Sequence, residues 1–281
     1  MSSKSTIVRF VKTVAPVTSR VSAPWSASWL ERLFTTPIRH RTPDRELAWR
    51  ATADRRLFTL RDGRRLPVYT WGEGPPVLLM HGWSGRGTQL AAFAGPLVAA
   101  GRQVVAFDGP GHGEADGQRS ALPDFAQAID EVAQSLGPLA GVIAHSMGCG
   151  ATALALSRGL AVDRLVFVAP AANPGGWLAH IAPQLGFTPE VAARTRARIE
   201  GRYTTTFDAV HAAIVAPLAP VPLLVVHDVD DPEVPIADGR RIAAAWPDAT
   251  LHVTRGLGHN RPLRDPAVVA AATTFLVGPP D

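Results

Sequence analysis

Cysteine is almost absent from this chain: Cys149 is the single one among 281 residues. One cysteine excludes an internal disulfide, so the expected compartment is the cytoplasm. We expect Cys149, three residues after Ser146, to face the core and to be inert, because buried cysteines are usually unreactive. The start of the chain also lacks an apolar core followed by a small-residue cleavage site, so secretion is not expected.

Long apolar runs are missing as well. The longest stretch without a formal charge extends from Val132 to Ser157, and Gly137, Pro138 and His145 interrupt it. A membrane-spanning helix needs about 20 consecutive apolar residues, so this stretch is predicted to hold a buried strand, a turn and a helix. With 46% hydrophobic and 19% charged residues, the composition is that of a globular protein with one large core.

Signatures of nucleotide and metal binding are also lacking. The glycines at 72, 74 and 82–87 are not followed by the Gly-Lys-Ser/Thr of a phosphate-binding loop. The acidic residues after His227 would all lie at one strand end, where few could share a metal ion. We therefore expect no metal ion and no cofactor.

Acidic residues are scarce at the start of the chain. Residues 1–65 contain two lysines, twelve arginines and five acidic residues, a net charge of +9, whereas the whole chain carries +4. The remaining residues therefore carry −5, and the basic character belongs to the N-terminal segment. Nucleic acid binding is not expected, since the basic residues are dispersed and accompany no recognisable module.

Residues 1–55 are predicted to form a partly helical basic arm. Its first helix would place Ile7, Phe10, Val11 and Val14 on one face and would end at Pro16. Two interpretations stay open for this helix. It either makes a weak peripheral contact with an anionic membrane surface or packs on the rest of the protein.

From residue 77 onward, short apolar segments alternate with helical ones. Predicted strands are 77–80, 103–107, 141–144, 164–168, 223–226 and 250–253, and predicted helices are 88–100, 124–136, 147–158, 236–245 and 266–276. This alternation predicts a mostly parallel sheet with helices on both faces. Before it, residues 56–60 and 66–71 flank Asp62-Gly63 and predict a hairpin.

Ser146 lies at a junction between a predicted strand and a predicted helix, in Ala144-His145-Ser146-Met147-Gly148. A serine at such a sharp turn has its hydroxyl lifted out of the sheet and backbone N–H groups directed toward it. Alanine at the first small position, where glycine is usual, adds one methyl group to a crowded turn. The alternative is a serine that caps an ordinary helix.

Serine, acid and histidine follow one another in chain order, each just after a predicted strand. The acidic cluster contains Asp228, Asp230 and Asp231, and His259 follows the last strand. Two further motifs, His81-Gly82-Trp83 and Asp108-Gly-Pro-Gly-His-Gly, also follow strands. With these motifs the chain resembles the α/β-hydrolase superfamily over roughly residues 57–277.

The resemblance implies an α/β-hydrolase fold with a small helical cap. The core would comprise residues 56–169 and 221–281, and the cap would be residues 170–220, where strand–helix alternation stops. An ordinary long crossover is the alternative for that segment. Aromatic residues of the cap and of the turn after the first core strand are candidates for the substrate pocket: Trp83, Trp177, Phe187 and Phe207.

The resemblance also implies a role for each site residue. Ser146 would be the nucleophile and His259 the general base. Asp231, which begins Asp-x-x-Val-Pro, would orient the histidine, with Asp230 as runner-up and Asp228 bracing the loop. The backbone N–H groups of Met147 and Trp83 would form the oxyanion hole.

These roles imply a metal-free serine hydrolase that cleaves a small-molecule carboxylic ester through an acyl-enzyme intermediate. The same residues would also suit amide, thioester or C–C bond hydrolysis, or cofactor-free haloperoxidase-like perhydrolysis. A non-catalytic binding module of the same fold is the alternative from a different class of function.

Overall fold

The computed structural model describes residues 3–215 and 221–278, with side chains from residue 8 onward. The predicted cap residues 216–220 and the side chain of Ile7 lie outside the described residues. The described chain divides into two compact units, Met1–Thr36 with Asn173–His211 (unit 1) and Pro37–Ala172 with Ala212–Asp281 (unit 2).

Unit 2 is built on one eight-stranded sheet. Its strands are β1 Asp54–Thr59, β2 Arg65–Trp71, β3 Pro76–Met80, β4 Gln103–Phe107, β5 Gly141–His145, β6 Leu165–Val168, β7 Leu223–Asp228 and β8 Ala249–Thr254. The spatial order is β1-β2-β4-β3-β5-β6-β7-β8, with β2 antiparallel to both neighbours and the other pairs parallel. The predicted hairpin and mostly parallel sheet are confirmed.

Helices cover the sheet of unit 2. They are α3 Asp44–Ala51, α4 Ala94–Ala99, α5 Leu122–Leu136, α6 Met147–Ser157, α10 Ile236–Ala245 and α11 Pro266–Val277, and α9 Phe207–Val215 extends from unit 1 into unit 2. Two 3₁₀-helices lie at Gly87–Phe93 and Arg261–Arg264. Buried strands covered by helices on both faces read as continuous apolar segments, and β3, β4, β5, β6 and β7 have that pattern.

The prediction of a single α-helix over residues 88–100 is wrong for the first half of that range. A 3₁₀-helix occupies Gly87–Phe93, and α4 begins only at Ala94. Pro96 supplies the physical reason, because proline has no N–H for the i to i−4 hydrogen bond that a continuous α-helix would need there.

Unit 1 contains helices α1 Ser3–Val21, α2 Ala23–Thr35, α7 Pro174–Gln184 and α8 Pro189–Tyr203. Its core is formed by both chain segments, and the buried members are Val11, Ala15, Ala27, Leu30, Leu178, Ala182, Phe187, Val191 and Ile199. Part of the predicted arm therefore packs with part of the predicted cap segment. The domain boundaries at residues 55, 170 and 220 stay predictions.

The expectation that the first helix ends at Pro16 is wrong, because α1 continues to Val21. A proline inside a helix costs about 3 kcal/mol, and the buried neighbours Val11 and Ala15 offset that cost. Gly186 also packs tightly on the proline, since a Cβ on Gly186 would lie 2.9 Å from Cγ of Pro16. None of the described helices is long and apolar enough to span a bilayer.

Candidate active site

Ser146 forms a strained turn between β5 and α6. Its φ of 52° and ψ of −119° lie outside the regions that non-glycine residues usually adopt. The N–H of Ser146 donates to the carbonyl oxygen of Val168 at 2.9 Å, which fixes the turn to β6. Backbone strain of this kind persists where the surroundings impose it, as at many functional sites. Ser146 occupies the N-cap position of α6, but its side chain accepts no capping hydrogen bond.

Two backbone N–H groups belong to residues next to Ser146 or to its contact Gly82. Met147 begins α6, and Trp83 follows Gly82, where an added Cβ would lie 2.9 Å from Cβ of Ser146. In the described part of the chain, neither N–H donates to another protein group. The oxyanion-hole role of these two groups stays a prediction.

His259 is hydrogen-bonded to Asp231. The Nδ1–H of His259 donates to Oδ2 of Asp231 at 2.8 Å, and both side chains are buried. Oδ1 of Asp231 accepts from the N–H groups of Glu233 and Val234 at 2.8 and 2.9 Å. Burial raises the pKa of Asp231, but the hydrogen bonds from His259 and the backbone outweigh it and lower the pKa below its ordinary value. Asp231 is thus ionised at neutral pH and orients His259, whose Nε2 has no hydrogen bond to any described residue.

The other two acids of the cluster have different partners. Oδ2 of Asp228 accepts from Thr254 Oγ1 at 2.7 Å and from the N–H of Leu257 at 3.0 Å, linking the loops after β7 and β8. Oδ2 of Asp230 accepts from the N–H of Gly256 at 2.9 Å. Neither of these carboxylates accepts a hydrogen bond from His259 in these contacts. Each instead connects the segment after β7 to the segment at the end of β8.

His145, the residue before the serine, contacts His259 directly. Its Nε2–H donates to the carbonyl oxygen of His259 at 3.1 Å, and the two rings lie 4.7 Å apart. Burial, with a smaller effect of His259, lowers the pKa of His145 to about 3, so His145 is neutral. No local sequence pattern indicates this contact, since it joins residues 114 positions apart.

Glu233 is a further residue near His259 that no sequence motif indicates. Its Oε2 lies 3.9 Å from Nε2 of His259, and its side chain is half exposed. Asn260 connects this carboxylate to Gln89: Nδ2 of Asn260 donates to Oε1 of Glu233 at 3.4 Å, and Nε2 of Gln89 donates to Oδ1 of Asn260 at 3.1 Å. A carboxylate of a half-exposed side chain therefore lies near Nε2 of His259.

His81 and His112 brace the loops around Trp83. Nδ1–H of His81 donates to the Gly82 carbonyl at 2.7 Å, and its Nε2 accepts from the N–H of Gly109 at 2.9 Å. Burial lowers the pKa of His112 to about 4 and that of His81 well below its ordinary value, so both are neutral. Among the described residues, no group of three His, Cys, Asp or Glu side chains could hold a metal ion.

The four predicted pocket residues lie in different places. Trp83 belongs to unit 2, is 36% exposed and packs its ring 4.9 Å from that of His112. The other three belong to unit 1, where Trp177 is exposed, Phe187 packs on Trp29 at 5.3 Å and Phe207 packs on Phe34 at 6.5 Å. The core of unit 1 explains the burial of Phe187. Contact of these side chains with a substrate stays a prediction.

Cys149 lies under the serine turn and is completely buried. Its Sγ–H donates to the carbonyl oxygen of Ala144 at 3.3 Å, and burial raises the pKa of the thiol well above its ordinary value. The prediction that Cys149 is a buried core residue is confirmed.

Comparison with known proteins gives one family and several relatives. The family model described as "Alpha/beta hydrolase family" matches residues 77–272. A non-heme chloroperoxidase, CPO-A1, of Kitasatospora aureofaciens is 32% identical over 106 residues, covering 36% of this chain and 38% of the relative. The sn-1-specific diacylglycerol lipase ABHD11 of Xenopus tropicalis is 32% identical over 136 residues, covering 46% of this chain and 40% of the lipase. This chain thus spans about two fifths of each curated relative.

Solved structures share the fold over most of the chain. A thermophilic esterase from Thermogutta terrifontis has a TM-score of 0.61 at 20% identity, covering 80% of this chain and 98% of the esterase. A bromoperoxidase from Bacillus anthracis has a TM-score of 0.61 at 17% identity, covering 80% of this chain and 99% of the bromoperoxidase. At these identities the likeness is one of fold.

Proposed function

The chain belongs to the alpha/beta hydrolase family, and from this premise we propose that it is a serine hydrolase of carboxylic esters that acts through an acyl-enzyme. One observation carries the proposal: His259 is fixed on one side by Asp231 and on the other by His145, the neighbour of Ser146. An imidazole that is oriented by a carboxylate and held close to a strained serine turn is the arrangement that general-base activation of an alcohol requires.

Each residue has one role in the proposed reaction. Ser146 Oγ attacks the ester carbonyl carbon while Nε2 of His259 takes its proton, and Asp231 stabilises the imidazolium that results. The N–H groups of Met147 and Trp83 stabilise the oxyanion, and one such donor is worth about 3 kcal/mol in the transition state. His259 then gives the proton to the leaving alcohol. Water then attacks the acyl-enzyme carbonyl while His259 takes a proton from the water. The carboxylic acid is released, and the proton returns to Ser146.

The test is hydrolysis of p-nitrophenyl esters, from acetyl to dodecanoyl, together with labelling by a fluorophosphonate probe. Ser146→Ala and His259→Ala should each lower kcat/KM at least about a thousandfold, and Ser146→Ala should abolish labelling. Matched controls are Ser157→Ala at the end of α6 and His252→Gln on β8, which should retain wild-type activity. A folded wild-type protein that neither labels nor hydrolyses any ester would contradict the proposal and favour a non-catalytic role.

Perhydrolysis is a second candidate, supported by the similarity to a protein named as a chloroperoxidase. Hydrogen peroxide would replace water as the attacking nucleophile, and the acyl-enzyme would release a peracid. The same serine and histidine would carry both reactions. Peroxide-dependent bromination of monochlorodimedone in acetate buffer, measured beside ester hydrolysis, distinguishes the two.

A further inference from the structure

The first two helices of unit 1 expose an unusual concentration of large apolar side chains. Five of the exposed side chains of this kind in the described residues fall between positions 8 and 25: Val8 at 42%, Phe10 at 62%, Val17 at 60%, Val21 at 81% and Trp25 at 57%. Single exposed apolar residues are common on soluble proteins, whereas a contiguous group marks a contact surface.

Helix α1 is apolar on two faces that lie about 120° apart. At 100° per residue, Phe10, Val17 and Val21 fall within an arc of about 40°. Val11 and Ala15 point away from them into the core of unit 1, where they are 4% and 0% exposed. The predicted single face that joined Phe10 to Val11 is therefore wrong, because packing of unit 1 occupies one side of the helix and leaves the other exposed.

The exposed face is flanked by cations. Arg9 and Arg20 are exposed and form no salt bridge with a described residue. Both lie about 80–100° from Phe10 on the same side of the helix. Unit 1 contains nine basic and four acidic residues, a net charge of +5. Positive charge beside exposed aromatic and aliphatic side chains is the composition of a helix that lies in a lipid interface.

We propose that this surface, formed by Phe10, Val17 and Val21 and called here the apolar stripe, docks on an anionic lipid bilayer. The apolar stripe enters the interface between headgroups and acyl chains, and Arg9 and Arg20 contact lipid phosphates. Charge favours this partner over a second copy of the chain, since two units of +5 repel each other. The proposal does not depend on catalysis.

Vesicle co-sedimentation of the full chain tests it. We expect binding to phosphatidylcholine vesicles with about one third phosphatidylglycerol, at least about tenfold weaker binding without the anionic lipid, and loss of most binding at about 0.5 M salt. Phe10→Ser with Val17→Ser and Val21→Ser should reduce binding at least about tenfold. Arg9→Gln with Arg20→Gln should remove most of the dependence on anionic lipid.

The matched control is Leu57→Ser with Val253→Ser, two exposed apolar residues of unit 2 at 55% and 47%, which should bind like wild type. Circular dichroism of each variant verifies folding. Point substitutions are preferable to deletion, because residues 1–36 supply part of the core of unit 1. The proposal is overturned if wild type ignores anionic vesicles or if the serine variant binds them equally well. Concentration-dependent dimerisation in sedimentation velocity, lost in the serine variant without vesicle binding, would also overturn it.

Discussion

Gly148, in the first turn of α6, lies directly against the carbonyl oxygen of His81. A Cβ added to Gly148 would be 2.6 Å from that oxygen and 2.9 Å from the carbonyl oxygen of Met80. The start of α6 and the turn that contains Trp83 are thus fixed against each other. Met147 directly precedes Gly148, and Trp83 lies two residues after His81. The N–H groups proposed for the oxyanion hole therefore belong to the two segments that meet at this contact.

Gly148→Ala should therefore misalign both donors. Because the atoms in the way belong to the backbone, either α6 or the turn must shift, and we expect kcat/KM for p-nitrophenyl esters to fall about 10- to 100-fold. Gly201→Ala in α8 is the control, since a Cβ there meets nothing within 4 Å. That substitution should leave activity unchanged. Equal activity in Gly148→Ala would show that the contact does not position the donors.

The choice among neighbouring carboxylates can be tested with isosteric amides. Asp231→Asn loses the acceptor that fixes the His259 tautomer, so kcat should fall about 100- to 10,000-fold with KM little changed. Asp230→Asn affects a carboxylate that accepts from Gly256 and should stay within about threefold of wild type. The reverse ranking in ester kinetics would assign the orienting role to Asp230.

Buried neutral histidines should make the fold sensitive to acid. The pKa of His112 is lowered to about 4, whereas an unfolded histidine titrates near 6.5. Between these values the unfolded chain binds a proton that the folded chain does not, so stability falls as pH falls. His145, with a pKa of about 3, acts in the same direction.

His112→Asn should reduce that acid sensitivity, because asparagine can still donate to the Pro110 carbonyl that Nδ1 of His112 contacts at 2.9 Å. In urea unfolding, the loss of stability between about pH 7.5 and about pH 5.5 should shrink by about 1.4 kcal/mol relative to wild type. His180→Asn, at an exposed position of α7, should leave the loss unchanged. An unchanged loss in His112→Asn would mean that His112 is protonated in the folded state.

Unit 1 depends on a buried carboxylate. Glu31 is 1% exposed, and its oxygens accept from Arg198 at 2.8 Å and from Arg202 at 2.7 Å. Glu31→Gln weakens two charge-assisted hydrogen bonds to half-exposed guanidinium groups and should lower the free energy of unfolding by about 2 kcal/mol. Glu190→Gln, whose partner Arg194 forms an exposed pair, should cost less than about 0.5 kcal/mol. Hydrogen exchange in α2 and α8, measured with the unfolding curves, would localise the effect.

The sequence by itself determined the order of strands and helices and the serine turn. These features rest on local causes: apolar periodicity, Asp62-Gly63 in the hairpin, and small residues on both sides of Ser146. A local conformational preference acts through neighbours in the chain, so it can be read from them. The resemblance of motifs then singled out Asp231 among three nearby acids.

Only the tertiary structure decided which side chains meet. The contact of His145 with His259 joins residues 114 positions apart, and the approach of Glu233 to the same ring depends on the paths of two loops. Likewise, α1 continues beyond Pro16, and Val11 is buried because it shares a core with residues of α7 and α8 in unit 1. Such contacts depend on strand register and on packing between distant segments, and a local pattern specifies neither.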